Sequence, residues 1–439
     1  MATTQTFGGG VHPCEVGNGK SATQSQQIVS AAAPARVTIA MVQHAGAPAV
    51  CCVKVGQTVN MGQVIGEAQE GISAPVHASV SGKVVALTTC TIPSGKSVPA
   101  VVIENDFEDR WDESVKPAAN VDSLTGEQIA DIAAKCGIVG LGGAAFPTAV
   151  KLRTSGAEKK PDTLVVNGSE CEPYLTCDDR VMIEDAQAVM DGIALAMKAT
   201  GVSRALIGIE DNKPEAIRSM EAAAKEGIQV VTLPTRYPQG YEKMLIYALT
   251  GRSVPKGGLP CDVQCVVLNV ATCAALSAAV REDRPMIDRV VTVCGRVAKP
   301  ANFRVRIGTS LLDILDQAGG MTEGVRKLIV GGPMMGNAIA SPNVPITKNF
   351  GGFLAMGEES ITAQESACIR CGRCARACPV SLSPAKIDSL VRLGNYDGAI
   401  AAGAVYCMEC GSCSYVCPAK RELTQSVRMA KAIAKSKKS

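Results

Sequence analysis

Two cysteine-rich segments, CIRCGRCARACPV at residues 368–380 and CMECGSCSYVCPA at residues 407–419, decide how the C-terminal part of this chain folds. Both have the spacing C-x2-C-x2-C-x3-C-P, and the second repeats the first after 39 residues. In this spacing, three thiolates surround one 4Fe–4S cluster while the fourth reaches across to the other cluster. Zinc is the main alternative, but zinc sites rarely carry four cysteines at this spacing followed by proline. The repeat therefore predicts a ferredoxin-like domain with two 4Fe–4S clusters.

The crossing of the fourth cysteine assigns a ligand set to each cluster. One cluster is predicted to be held by Cys368, Cys371, Cys374 and Cys417, and the other by Cys407, Cys410, Cys413 and Cys378. Most of the remaining cysteines stand in or beside apolar runs, which favours small buried side chains. A third metal site is the less favoured alternative, and its candidate ligands are Cys171, Cys177, Cys261 and Cys265.

Composition limits the function of the whole chain. Its 439 residues are 46% hydrophobic and 19% charged, which suits several globular domains. The net charge is only +3 and aromatic residues are 3%, so we expect no nucleic-acid partner. The most apolar stretch, residues 265–280, is too short and too polar to span a bilayer. The N-terminus lacks a secretory pattern, so the cysteines are expected to remain reduced in the cytoplasm.

Apolar patterning divides the rest of the chain. Residues 50–87 contain two similar halves with Gly-centred turns, which resemble the barrel-sandwich fold of lipoyl domains. The hairpin tip at 68–71 lacks the lysine of acyl carriers. Farther on, the runs TLVVN (163–167), ALIGI (205–209), IQVVTL (228–233) and CVVLNV (265–270) alternate with helical stretches at 181–200 and 214–226. This alternation predicts a parallel α/β sheet. Residues 286–335 carry short strands and one helix, and they resemble the β-grasp module of soluble-ligand-binding (SLBB) type.

These patterns predict a multidomain chain of α/β and α+β units. Its parts are an N-terminal arm (1–30), a barrel-sandwich hybrid domain (31–115), a Rossmann-like α/β domain (120–285), an SLBB-like β-grasp domain (286–360), the ferredoxin-like domain with two 4Fe–4S clusters (361–425) and a basic tail (426–439). After residue 419 the chain has seven basic residues and one acidic residue. This end is interpreted either as a solvated helix end or as a contact with acidic lipid headgroups or an acidic partner.

Two loops of the α/β domain suggest a ligand site. In GLGGAAFPTAVK (140–151), a glycine-rich turn precedes a helix N-terminus, so backbone N–H groups can approach a phosphate or flavin closely. A plain tight turn is the alternative. In LVVNGSECEPYLTCDDR (164–180), acidic side chains follow a strand end, which is where ligands bind in parallel sheets. A solvated acidic loop is the alternative there.

Both loops belong to a wider resemblance. Together with YPQGYEKMLIYALTGRSVPKGG (237–258), VVLNVATCAAL (266–276) and the N-terminal TFGGGVHP, they resemble the RnfC subunit of the Rnf electron-transport complex over nearly the whole chain. They are similar, more distantly, to the NADH-binding flavoprotein subunit of respiratory complex I. The resemblance implies FMN, two 4Fe–4S clusters and NAD(H) as substrate. It implies no side chain as a catalytic residue.

The complex I resemblance also implies which residues bind FMN and the nucleotide. They are Gly140, Gly142, Gly143, Phe146, Lys151, Asn167, Glu170, Glu172, Tyr237, Gly240, Glu242, Asn269 and Thr272. Phe146 would stack on the nicotinamide or adenine, or else pack in a core. With Glu172 and Glu242 beside the ribose, NADH would be preferred to NADPH, because a 2′-phosphate would be repelled.

The Rnf resemblance implies a peripheral subunit on the cytoplasmic face of the cell membrane. Such a subunit passes electrons between reduced ferredoxin and NAD+, with integral membrane and iron–sulfur subunits as partners, coupled to Na+ or H+ translocation. Two alternatives remain open at this point. One is a cobalamin reductase of a bacterial microcompartment, and the other is a non-catalytic electron-relay subunit without flavin.

Overall fold

A small β unit follows the N-terminal segment. The computed structural model of the chain describes residues 6–15, 17–117, 120–153, 159–361 and 364–437. The unit contains β2 to β8, which follow the short N-terminal strand β1 (Val29–Ser30): Arg36–Ala40, Val50–Cys51, Thr58–Val59, Val64–Glu67, Val76–His77, Gly82–Thr91 and Ser97–Asn105. They form two sheets, with orders β2-β8-β7-β4 and β3-β5-β6. Buried aliphatic side chains such as Ile39, Ile65 and Ile103 fill the core of this unit.

The next unit is a parallel sheet covered by helices. Its elements are α1 (Gly126–Lys135), α2 (Thr148–Leu152), β9 (Thr163–Asn167), α3 (Cys177–Glu184), α4 (Ala186–Thr200), β10 (Ala205–Glu210), α5 (Pro214–Ala223), β11 (Ile228–Leu233), α6 (Glu242–Thr250), β12 (Cys265–Asn269) and α7 (Val270–Glu282). The strand order is β11-β10-β9-β12, with every pair parallel. The predicted strands and the parallel sheet are therefore confirmed.

Helices α4 and α7 pack closely against each other on this sheet. A Cβ atom on Gly192 of α4 would come within 1.8 Å of the backbone oxygen of Cys273 on α7. Small side chains at such crossings let helix backbones approach, and the large apolar core of this unit surrounds the contact. The packing fixes α7, whose first residues follow directly from β12.

A mixed sheet follows, with the sequence-predicted helix packed on it. It contains β13 (Asp288–Gly295), β14 (Ala301–Arg306), α8 (Leu311–Gln317), β15 (Lys327–Val330), β16 (Asn337–Ile339) and β17 (Gly352–Met356). The sheet order is β1-β14-β13-β17-β15-β16. At one edge of this sheet lies β1, which belongs to the predicted N-terminal arm and pairs in parallel with β14.

The cysteine repeat lies in a compact helical unit. Its helices are α9 (Arg373–Ala377), α10 (Pro384–Arg392), α11 (Tyr396–Ala401), α12 (Ser412–Tyr415) and α13 (Leu423–Ser436). Helices α10, α11 and α13 share one apolar core. Most of the predicted basic tail belongs to α13. The last two residues of the tail, 438 and 439, lie outside the described residues.

The N-terminal segment lies between two of these units. The backbone N–H of Gly10 donates to the Ala377 carbonyl at 2.9 Å, and the N–H of Val11 donates to the Tyr237 carbonyl at 2.8 Å. A Cβ atom on Gly9, which has a positive φ, would meet the Cys378 backbone at 2.8 Å. The segment therefore packs between the ferredoxin-like unit and the α/β unit.

Among the residues that the structure describes, no helix combines the length and the apolar character needed to cross a membrane.

Candidate functional site

The C-terminal edge of the parallel sheet brings two sequence-predicted asparagines side by side. Asn167 ends β9 and Asn269 ends β12, and the two residues are partners in the strand register. The Asn269 carboxamide oxygen accepts the N–H groups of Ala271 and Thr272 and so caps α7. Its Nδ2 donates to Oδ2 of Asp178 at 2.6 Å. The N-terminus of α7 therefore opens at this edge, where it can favour an anionic ligand group.

The glycine-rich loop lies directly over Asn269. The Gly140 N–H donates to the Phe146 carbonyl at 2.9 Å, which closes the loop. The Leu141 N–H donates to Oγ1 of Thr272 at 3.0 Å. A Cβ atom on Gly142 would meet the Asn269 side chain at 3.0 Å, whereas a Cβ on Gly143 would meet nothing within 4 Å. The loop thus packs on the edge at Gly142 and faces open space at Gly143.

The acidic loop after β9 is organised by Glu170. Its carboxylate accepts the N–H of Asp178 at 2.8 Å and of Asp179 at 3.1 Å, which caps α3. Burial, with the charge of Glu170, raises the pKa of Asp178 well above its usual range. A metal ion could be held by three or more His, Cys, Asp or Glu side chains whose ligand atoms lie close together. Within the described parts of the chain, the only such group is Glu170, Cys177 and Asp178. The hydrogen bonds of Glu170 already account for that cluster.

Several buried polar atoms around this edge have no hydrogen-bond partner. They are Oγ1 of Thr148 at the start of α2, both carboxylate oxygens of Asp179, and both polar atoms of the Gln239 side chain. All three residues belong to segments that surround the edge. Because buried polar groups are normally hydrogen-bonded, this set fits a ligand rich in hydroxyl and carbonyl groups, as a flavin is. Thr148 and Gln239 lie inside the quoted segments 140–151 and 237–258, but neither was predicted as a site residue, because sequence alone does not show which polar side chains of a loop are buried without a partner.

Other predicted residues line the approach to the edge. The Asn167 Nδ2 donates to the Gly240 carbonyl at 2.7 Å, which ties the strand end to the loop before α6. Lys151 donates from Nζ to the Val267 carbonyl at 3.0 Å. Burial lowers the pKa of Lys151, while the nearby Glu242 raises it. The charge of Glu242 therefore partly offsets the effect of burial on Lys151.

In the structure, the Glu172 and Tyr237 side chains form hydrogen bonds to neighbouring units. The Glu172 carboxylate accepts the N–H groups of Met334 at 3.0 Å and Met335 at 2.8 Å, in the loop between β15 and β16. The Tyr237 hydroxyl donates to the Cys410 carbonyl at 2.7 Å. Both side chains therefore connect the α/β unit to its neighbours.

Lys20 is a further residue that sequence reasoning missed. Its Nζ donates to the backbone carbonyls of Glu170, Glu172 and Leu175. It therefore holds the acidic loop from the N-terminal segment. It stands 150 residues before Glu170 in the sequence, so no local pattern could have revealed the contact.

The eight motif cysteines surround two separate cavities. One is lined by Cys378 of the first motif together with Cys407, Cys410 and Cys413 of the second. The other is lined by Cys417 of the second motif with Cys368, Cys371 and Cys374 of the first. We call them the inner cavity and the outer cavity, respectively. Each fourth cysteine therefore lies with the opposite motif, as the crossing pattern requires.

The spacing of these thiols distinguishes a cluster from a single ion. One zinc ion would draw four sulfurs to about 3.8 Å from one another. Among the described residues, the one group with three ligand atoms within 4.8 Å does not include any motif cysteine. The two cavities therefore fit a larger inorganic group held at its corners.

The two cavities differ in their position. The inner cavity adjoins the α/β unit through the bond from Tyr237 to Cys410. The apolar cluster around that bond includes Phe7, Met244 and Met408. At the outer cavity, Cys368 and Cys371 are exposed. The order in space is therefore sheet edge, inner cavity, outer cavity and solvent.

Four families match successive parts of the chain. Residues 5–108 match the RnfC barrel sandwich hybrid domain, and residues 133–278 match the Nuo51 FMN-binding domain. Residues 290–338 match the SLBB domain, and residues 360–418 match the 4Fe-4S dicluster domain. The predicted fold class, with its four modules in this order, is confirmed. The matches also confirm an FMN-binding domain and a 4Fe–4S domain.

Similar proteins cover most of the chain. It is 45% identical over 399 residues to a subunit of the proton-translocating ferredoxin:NAD(+) oxidoreductase complex of Clostridium ljungdahlii, and this match covers 90% of the chain and 86% of the relative. It is 43% identical over 430 residues to a subunit of the Na(+)-translocating ferredoxin:NAD(+) oxidoreductase complex of Acetobacterium woodii, with 97% and 96% of the two chains covered.

A solved structure shares the fold at lower identity. An NAD+-reducing [NiFe]-hydrogenase in its air-oxidized state matches with a TM-score of 0.53 and 18% identity, over 72% of this chain and 69% of the other. At this identity the likeness concerns the fold alone.

Proposed function

The chain belongs to the RnfC family of ion-translocating ferredoxin:NAD(+) oxidoreductase complexes, and we propose that it moves electrons between NAD(H) at the sheet edge and a partner at the outer cavity. An electron-transferring oxidoreductase subunit is the role that this membership assigns. The observation that carries the proposal is the contact between the α/β unit and the inner cavity, through Tyr237 and Cys410. It links the flavin-binding module to the iron–sulfur module.

The proposed site needs a group that can exchange electrons either in pairs or one at a time. FMN supplies that conversion, since NADH gives a hydride and an iron–sulfur cluster takes single electrons. In this chain, the N–H groups of the glycine loop and the N-terminus of α7 are suited to its phosphate. Unpaired polar atoms of Thr148, Asp179 and Gln239 offer partners for its hydroxyl and ring groups. We assign Glu242 and Phe146 to the nucleotide, as the complex I resemblance implies.

The iron–sulfur part of the proposal rests on the two cavities. We assign two 4Fe–4S clusters, with the ligand sets predicted from the motif spacing. Burial of the inner cavity against the α/β unit excludes water from the side that would face the flavin. Electrons would then pass from the inner cluster to the outer one.

Partners and location follow from the family. The relatives are named as members of ion-translocating complexes, so we propose that this chain docks on integral membrane and iron–sulfur subunits at the cytoplasmic face. Na+ and H+ both occur in the names of relatives, so the coupling ion stays open. The names of these relatives favour this function over that of a cobalamin reductase.

Flavin retention tests the proposal. Asn269→Ala removes the side chain that caps α7 and donates to Asp178, directly beneath the glycine-rich loop. FMN should therefore bind at least about tenfold more weakly. Ser310→Ala is the matched control, because Ser310 caps α8 in the same way, in another unit. The measurement is FMN released by acid from anaerobically purified protein, together with FMN titration.

Reduction by NADH completes the test. In the unchanged protein NADH should bleach the flavin absorbance, and electron paramagnetic resonance should then detect reduced clusters. Protein that takes up no FMN on reconstitution would refute the proposal and support an electron relay without flavin. Equal FMN affinity in Asn269→Ala and Ser310→Ala would remove Asn269 from the site.

A further inference from the structure

The two cysteine motifs have the same spacing but very different surroundings. Cys410 and Cys413 of the second motif are only 6% and 9% exposed. In the first motif, Cys368 and Cys371 are exposed, and Ile369 between them is 68% exposed. The outer cavity is therefore covered by a thin exposed loop, whereas the inner cavity is buried within the protein.

Basic side chains without ion-pair partners surround the outer cavity. We call them the basic rim, and they are Arg370, Arg373, Arg376, Lys386 and Lys420. Arg370 and Arg373 line the cavity itself. Arg376 donates to the Cys371 carbonyl at 3.4 Å. Lys386 and Lys420 directly follow two lining residues in the sequence. All five are exposed, and no ion pair is formed by any of them in the described part of the chain.

The acidic residues near the outer cavity leave a clear positive excess. Glu365 and Asp388 are both engaged by Arg392 and Arg421. Glu422 is exposed and next to Arg421, and it forms no ion pair among the described residues. Five free positive charges thus face one free negative charge. The excess is local, since the whole chain has a net charge of only +3.

The basic C-terminal helix does not offer comparable charge. Arg428 and Lys431 both pair with Glu409, and Lys437 pairs with Asp397. The ion pairs of α13 therefore reduce the free positive charge of the segment after residue 419, although Lys420, at the start of that segment, belongs to the basic rim. Lys435 is exposed and forms no ion pair among the described residues, but most of the free positive charge of this unit lies around the outer cavity.

We propose that the basic rim and Ile369 form the docking site for an acidic electron-carrier protein with its own exposed iron–sulfur cluster. The proposal rests on the proposed function, because it requires the outer cavity to hold a cluster. One electron passes from the partner's reduced cluster to the outer cluster, so the partner is oxidised and this chain is reduced. No bond or proton needs to move. Charges of opposite sign steer such encounters, and a small apolar contact suits a transient complex.

An acidic protein fits this surface better than a lipid surface does. The rim lies beside the cavity whose exposed cysteines would hold the cluster, so a ligand attracted by the rim is brought next to that cluster. Proximity to the cluster serves a partner that exchanges electrons, and a lipid headgroup does not. Attraction to acidic lipid is therefore treated as a competing outcome.

Electron transfer at varied salt tests the rim. The probe is a reduced ferredoxin of net negative charge, mixed anaerobically with the full chain loaded with clusters and FMN. Stopped-flow absorbance gives the second-order rate of reduction. In the wild type this rate should fall steeply with added salt. Arg370→Gln/Arg373→Gln should lower it about tenfold at low salt and flatten the salt dependence.

Two further double variants keep the test decisive. Lys386→Gln/Lys420→Gln changes rim charges away from the cysteine loop, so it should show the same loss even if the arginine variant loses iron. Lys435→Gln/Lys437→Gln removes two positive charges at the end of α13, where the described residues form no hydrogen bond with a motif cysteine, and should leave the rate unchanged. Reduction by NADH should be equal in all variants. A failure of that reaction in the wild type would overturn the proposed function and not the rim.

Three results would overturn the docking proposal. The first is a wild-type rate that does not respond to salt. The second is an equal loss in the rim and α13 variants. The third is that the rim variants no longer bind vesicles containing anionic phosphatidylglycerol, while the rate at which ferredoxin reduces them is unchanged. This result would show that the rim binds lipid.

Discussion

The contact between Glu172 and the β15–β16 loop should make that loop sensitive to pH. Burial raises the pKa of Glu172 to about 7 from an ordinary value of 4.5, even though the N–H groups of Met334 and Met335 favour its ionised form. When the loop opens, the carboxyl meets water and regains its ordinary pKa. The closed state therefore binds the proton more tightly. Closure is favoured at low pH and weakens as the pH rises from about 4.5 to about 7.

The size of this effect follows from the two pKa values. Between pH 6 and pH 8 the opening equilibrium should rise by up to about tenfold, equivalent to about 1.4 kcal/mol. Glu172→Gln cannot ionise, so it should remove this pH dependence. It also replaces one acceptor oxygen by an NH2 group facing a backbone N–H. At low pH, where the wild-type loop is most firmly closed, the opening of the variant should therefore exceed that of the wild type by about 1–3 kcal/mol.

Amide hydrogen exchange of the peptide that covers residues 331–336 measures this opening. The rates are corrected for the intrinsic pH dependence of exchange. Glu323→Gln is the matched control, because Glu323 is exposed in the same unit and its side chain forms no ion pair among the described residues. A corrected opening that does not change between pH 6 and pH 8 in the wild type would refute the reasoning. A tenfold change that persists in Glu172→Gln would do the same.

Three other substitutions test separate parts of the structure. Tyr237→Phe removes the hydroxyl that donates to the Cys410 carbonyl, so it should cost about 1 kcal/mol and slow the appearance of electrons in the clusters after NADH addition, with flavin reduction unchanged in rapid mixing. Gly192→Ala forces α4 away from the Cys273 carbonyl and should lower stability by at least about 2 kcal/mol in urea unfolding, whereas an unchanged midpoint would contradict the packing. Cys378→Ala should abolish the paramagnetic signal of the inner cluster, and loss of the outer signal alone would disprove the crossing.

Apolar patterns, turn residues and cysteine spacing were enough to predict the units and their order. Strands such as Thr163–Asn167 and Ile228–Leu233 were predicted at their observed bounds, because continuous apolar runs between turn residues are a local signal of buried parallel strands. The cysteine spacing likewise predicted how the two motifs exchange a ligand, since a short chain between thiols permits few geometries.

Which side chains face the edge and which join the units could be seen only in the folded chain. Glu170 and Glu172 are two residues apart in one acidic loop, yet one caps α3 and the other binds the loop between β15 and β16. Lys20 reaches that same loop from the N-terminal segment. The free charge around the outer cavity was equally hidden, because a row of basic residues does not reveal which of them have acidic partners. Such contacts depend on segments far apart in sequence, and local patterns carry no information about them.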